Sequence, residues 1–213
     1  MDVEMEDGHA EPGTVVPRRS HAPFDLIVVA ASSGGFEALE AIFSGLPADF
    51  PVPIAVVLHR TLQVPEILVD LLRTRTPLRV KTAVPGERPR AGTIYVAPPD
   101  RHLVLTANRT FALRGGSLVH HTHSAADPLF ASAASVYRDR VVAVVLSGGN
   151  VDGAAGAGAI SVAGGVVLVQ DQATSRSFSM PAATIATGQV DAVLPPFGIA
   201  TALISLAGTG CLP

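Results

Sequence analysis

Cysteine occurs once in the 213 residues, as Cys211 near the C-terminal end. A lone thiol excludes an internal disulfide, and no apolar targeting run follows Met1, so the expected compartment is cytoplasmic. Clustered basic residues are also missing. With a net charge of −3, the chain lacks the Lys and Arg density that phosphate backbones require, which argues against nucleic acid as a partner. Neither a G-x-G-x-x-G nor a G-x-x-x-x-G-K-[ST] loop is present, which weakens a phosphate-cradling role for any glycine turn. Charge of either sign is scarce: 15% of residues are charged against 48% apolar. Such a mixture suits a parallel sheet covered on both faces, whose strands read as continuous aliphatic runs. Between Val141 and Gln170 only Asp152 is charged, and spanning helices need about 20 predominantly apolar residues. Ser147-Gly148-Gly149-Asn150 and Gly164-Gly165 cut this span into strand, helix and strand, so membrane insertion is not expected.

Residues 1–22 are rich in Glu, Asp, Gly, Pro, Arg and His without apolar periodicity and read as a disordered tail; 23–208 read as one catalytic domain. Strands are predicted at 25–30, 54–58, 93–97, 103–106, 111–114, 141–146, 166–170 and 192–194. Helices are predicted at 36–46, 65–75, 127–137, 154–163, 181–187 and 199–206. Asp127 is read as the N-cap of its helix, with Pro128 at the first helical position. The alternation implies an α/β fold: a doubly wound, mostly parallel sheet flanked by helices on both faces, with a small β-hairpin at 103–114.

Ligands of such sheets bind beyond the carboxyl ends of the strands. Ser32 follows the first strand, His59 the second, and Asp152 lies in the loop after 141–146. A hydroxyl, an imidazole and a carboxylate on one edge are what a serine hydrolase needs: an attacking alcohol, a proton carrier and an orienting acid. Ala30-Ala31-Ser32-Ser33-Gly34 fits a small-x-Ser-x-Gly elbow, in which Ala30 and Gly34 are expected to approach closely. The chain order Ser, His, Asp differs from the Ser, Asp/Glu, His order of the α/β-hydrolases and argues against that family. Each residue also has a plainer reading: Ser32 in a turn, His59 at the surface, Asp152 as a helix cap. Asp100 and Asp171 follow strands too and are alternative acids. His120, His121 and His123, joined by His102, form an alternative zinc set, although adjacent histidines rarely aim at one point.

Several separate stretches resemble the catalytic domain of the bacterial chemotaxis protein-glutamate methylesterase (CheB) family. Ala30-Ala31-Ser32-Ser33-Gly34-Gly35 resembles its Gly-Ala-Ser-Thr-Gly-Gly, and Leu58-His59 its Gln-His. Tyr95-Val96-Ala97-Pro98-Pro99-Asp100-Arg101-His102 is similar to Tyr-Ile-Ala-Pro-Gly-Asp-x-His. Residues 147–156 are similar to Thr-Gly-Met-Gly-Asn-Asp-Gly-Ala-Ala-Gly, and Phe178-Ser179-Met180-Pro181 to Phe-Gly-Met-Pro. The resemblance implies hydrolysis of glutamyl γ-methyl esters on methylated chemoreceptor cytoplasmic helices, releasing methanol, with deamidation of glutamines as a second activity. It implies Ser32 as nucleophile, His59 as general base and acid, Asp152 as its orienting carboxylate, Ser33 as a supporting hydroxyl, and no cofactor. Amides near His59 or around Gly148 and Gly149 are the oxyanion candidates.

Two stretches depart from the family pattern. Val151 stands where the family has Asn beside the catalytic acid, and His121-Thr122-His123-Ser124-Ala125-Ala126-Asp127 lacks both arginines of Arg-His-Arg-Pro-Ser-x-Asp. The family's usual phospho-receiver domain is not expected in the short N-terminal tail. A catalytically weakened binding or scaffold protein on the same fold is the alternative, and a metal hydrolase a third reading.

Overall fold

The computed structural model describes residues 24–59, 65–115 and 124–213, with side chains from 69 onward in the second stretch. Four strands of almost pure aliphatic sequence form its centre: β1 (Leu26–Ala31), β2 (Ile54–Leu58), β7 (Val141–Val145) and β8 (Val166–Gln170). Shorter strands extend them: β3 (Arg79–Thr82), β4 (Thr93–Val96) and β9 (Ala192–Leu194). All seven join in one parallel sheet of order β3-β4-β2-β1-β7-β8-β9. β5 (His102–Leu105) and β6 (Phe111–Arg114) form a separate antiparallel hairpin.

Alternation along β1 explains why no polar face remains. Ile27, Val29 and Ala31 enter one core with α1 (Gly35–Ser44), α2 (Pro65–Arg73) and α6 (Pro196–Thr209). Leu26, Val28 and Ala30 enter the other with the hairpin, α3 (Ala126–Tyr137), α4 (Ala154–Val162) and α5 (Ser179–Ile185). The doubly wound sheet with helices on both faces and a small hairpin is therefore borne out. From β1 the chain builds outward through β2, then returns to lay β7 on the other side of β1. The order reverses at β1, and the crevice at such a switch point is where these sheets hold ligands.

Two local expectations are corrected. β3 was not predicted, because as a four-residue edge strand with only Val80 buried it carries no aliphatic run. α3 begins at Ala126 with Ala125 as N-cap, so Asp127 lies in the first turn and Pro128 after it. Asp127 does not cap its own helix, because its carboxylate serves another. The first 23 residues, including the expected tail, lie outside the described residues. No helix among the described residues is long and apolar enough to cross a membrane.

Candidate active site

The register of β1 on β2 ends at Ala31 opposite Leu58, so Ser32 and His59 emerge side by side from neighbouring strands. Backbone bonds fix both: His59 N–H donates to Ala31 O (2.9 Å) and Ser32 N–H to Ser147 O (2.9 Å). Ser32 keeps an unstrained backbone, since among the described residues the only non-glycine positions with positive φ are Arg109 and Arg138. The reversal is taken two residues later by Gly34, at φ 76°, as N-cap of α1. Close approach also falls elsewhere than the elbow spacing suggested. A Cβ on Gly35 would lie 2.7 Å from Ala31 Cβ, whereas one on Gly34 would strike Arg176 Cβ at 2.4 Å rather than Ala30. The turn is a glycine-capped helix start, not a strained elbow.

His59 Nε2 lies 2.6 Å from Asp152 Oδ2, and Asp152 is fully buried. The carboxylate also accepts the α3 amides of Ala126 (2.6 Å, Oδ2) and Asp127 (3.0 Å, Oδ1). An anion is thus seated at a helix N-terminus, where free N–H groups and the helix dipole favour it. Burial pushes the Asp152 carboxyl up, but the hydrogen bond from His59, the two amides and the His59 charge outweigh it and hold it below its ordinary value. An ionised carboxylate only accepts, so Nε2 carries the ring proton of neutral His59 and Nδ1 presents the lone pair. In the serine-protease arrangement these two nitrogens have the opposite assignments.

The favour is returned. Asp127 Oδ1 accepts Gly153 N–H (3.0 Å) and Gly156 N–H (2.7 Å) at the start of α4. Asp152 precedes α4 and caps α3; Asp127 belongs to α3 and caps α4. Contact close enough for this exchange needs Gly156, where a Cβ would lie 2.5 Å from Phe130 Cβ. Asp127→Ala removes the acceptor for two amides, and an unsatisfied buried donor costs about 1–3 kcal/mol. The expected result is a loss of about 2 kcal/mol in urea unfolding, accompanied by a lower turnover as the Asp152 loop loosens.

Val151 points outward and is 50% exposed, while Asn150 Oδ1 accepts Asp152 N–H (3.0 Å), so Asn150 shapes the loop by an Asx turn. Gly148 is a spacer: its N–H is spent on Ser177 O (2.9 Å), and a Cβ there would lie 1.9 Å from Met180 Sδ and 2.9 Å from Ser32 Cβ. The His59 amide is likewise spent, on Ala31 O. The amides of Gly149 and Ser33 donate to no acceptor among the described residues. Ser33 itself is exposed, and its contribution is a carbonyl that accepts Ser147 Oγ (2.7 Å); no bond joins its hydroxyl to His59. Buried Ser147 is held in turn by Gln170 Oε1 on its N–H (2.8 Å), a pairing of two strand ends that no sequence spacing announces.

The other candidates fall elsewhere. Asp171 bonds Thr174, and no bond joins Asp100 or Asp171 to His59. His102 is buried, its Nδ1 accepting Ala125 N–H (3.1 Å) at the α3 N-cap. His120, His121 and His123 lie outside the described residues, and among the described residues no His, Cys, Asp and Glu group is arranged to hold a metal.

The family model described as CheB methylesterase matches residues 27–203. The protein-glutamate methylesterase/protein-glutamine glutaminase 2 of Anaeromyxobacter dehalogenans is 41% identical over 199 residues, 93% of this chain and 58% of that protein. A relative from Leptospira interrogans is 34% identical over 183 residues, 86% of this chain and 95% of its own length. The chain therefore spans nearly all of the second relative and little more than half of the first. The crystal structure of the Thermotoga maritima CheB methylesterase catalytic domain superposes with a TM-score of 0.83 at 35% identity, covering 87% of this chain and all of that domain. Sequence match and shared fold, extending across both sides of the β1 switch point, lead to one conclusion: the chain belongs to the CheB methylesterase family.

Proposed function

We propose that this protein hydrolyses glutamyl γ-methyl esters on chemoreceptor cytoplasmic helices, and deamidates glutamines there, with Ser32, His59 and Asp152 as its catalytic residues. The observation that carries the reading is the 2.6 Å contact of His59 Nε2 with buried Asp152, beside Ser32 on the adjoining strand. Ser32 Oγ attacks the γ-carbonyl carbon while His59 Nδ1 takes its proton. The carbonyl oxygen becomes an oxyanion, for which the free amides of Gly149 and Ser33 are the available donors. The tetrahedral carbon then expels methoxide, protonated by His59 to methanol; a glutamine side chain expels ammonia by the same step. Water, deprotonated by His59, releases the acyl group as glutamate and restores Ser32.

A serine-directed phosphonate tests the chemistry without a receptor. Incubation should add one phosphonyl group at Ser32, seen by mass spectrometry of the digested protein, in parallel with loss of methanol release from methylated receptor. A protein that binds receptor yet takes no label at Ser32 would favour the scaffold reading.

A further inference from the structure

A second polar cleft, of about 360 Å³, lies at the opposite end of the sheet, lined by Arg79, Glu87, Arg88, Arg90, Thr93 and Tyr95 among others. Register separates it from Ser32. Ile94 pairs with Ile54, so Thr93 stands level with Pro53, and the step from residue 53 to 59 at about 3.3 Å per residue is roughly 20 Å along the strand.

Its charge is unbalanced. Glu87 is the sole carboxylate in the lining, and both its oxygens are taken by Lys81 Nζ (2.7 and 2.8 Å). Arg79, Arg88 and Arg90 make no ion pair among the described residues, although the molecule as a whole carries a charge of −3. All three are exposed and line the same cleft, so an anion entering it meets a locally positive field.

The cleft is also held in shape. Gly86, at φ 81°, turns the loop back, its N–H donating to Phe111 O (2.8 Å) while Phe111 N–H donates to Glu87 O (2.8 Å). Arg90 N–H donates to the hydroxyl of Tyr95 (3.2 Å), whose ring is 1% exposed. That hydroxyl's own proton has no acceptor among the described residues, which leaves a buried donor at the cleft floor. Arg79 stands opposite Thr93 in the β3–β4 register, which puts both on the face that Tyr95 occupies.

We propose that this cleft binds a polyvalent phosphoryl anion of small-molecule size, gripped by Arg79, Arg88 and Arg90 and met at its floor by Tyr95. Guanidinium forks match phosphoryl oxygens in pairs, three of them exceed what one carboxylate needs, and the volume falls in the small-ligand range.

Titration calorimetry on the full chain with inorganic pyrophosphate, at two salt concentrations, tests it. Saturable binding of one equivalent is expected, weakened at least tenfold in R88Q/R90Q, with an unchanged unfolding midpoint of the ligand-free protein. R88K/R90K, which keeps charge but loses the forks, should fall between. ADP bound as tightly as pyrophosphate assigns the site to the diphosphate group of a nucleotide; a clear preference for pyrophosphate assigns it to the inorganic anion. Absence of saturable binding, or equal affinity in R88Q/R90Q, overturns the proposal. Methanol release should be the same in both variants, since the cleft lies far from Ser32.

Discussion

Replacing Ser32 by alanine is expected to lower methanol release about a millionfold, the scale seen when a serine hydrolase loses its nucleophile. The fold should survive. Ser32 Oγ supports no hydrogen bond among the described residues, and its backbone ties, N–H to Ser147 O and O from Gly35 N–H, do not involve the side chain. The methyl group fits wherever the hydroxymethyl did. Methanol production from methylated receptor at near wild-type rate by Ser32→Ala would sink the assignment, and a matching circular dichroism spectrum and unfolding midpoint would exclude misfolding as the cause of a loss.

The second large effect is expected at the acid. Asp152→Asn should lower turnover about ten-thousandfold, the cost of the equivalent change in a serine-protease triad, because an amide no longer holds the imidazole in its working tautomer. Here the substitution also strikes the fold. The carboxylate receives His59 and two α3 amides, and an amide side chain offers one acceptor oxygen to what two oxygens now serve. Asp152 is held below its ordinary value of 3.8, so the folded state favours the ionised form. Its contribution is complete above pH about 4 and drains away as acid carries the pH through the lowered folded value. The stability gap between wild type and Asp152→Asn should therefore be widest near neutrality and close below pH about 4, measured as urea midpoints across pH. A gap independent of pH would show that the charge of Asp152 contributes nothing to folding.

How much of this was legible beforehand depends on the range of the interaction. The buried strands announce themselves as aliphatic runs, and reading the polar residue just beyond β1 and β2, and the loop that follows β7, picks out Ser32, His59 and Asp152 because the rule is local to each strand. β3 escapes, since an edge strand with one buried side chain has no pattern to read. The role of Asp127 was legible only in part: an Asp before a Pro marks a helix start, but which helix it caps is decided by α3 and α4 packing side by side. The spent amides of Gly148 and His59, and the close contact of Gly148 with Met180, arise between segments distant in sequence. No spacing encodes them.

The orientation of the imidazole has a mechanical consequence. Nδ1 is attached directly to the ring carbon that joins the side chain to β2, whereas Nε2 sits at the ring's far end. With the acid gripping the far end, the atom that would accept the proton rides close to the sheet, on a short arm rooted at the end of β2. Loop movements that tug on Asp152 would swing the distal nitrogen through a wide arc while shifting the proximal one little. Alignment of alcohol and base is then a property of two adjacent strands, and only the ring's tilt is left to the loops.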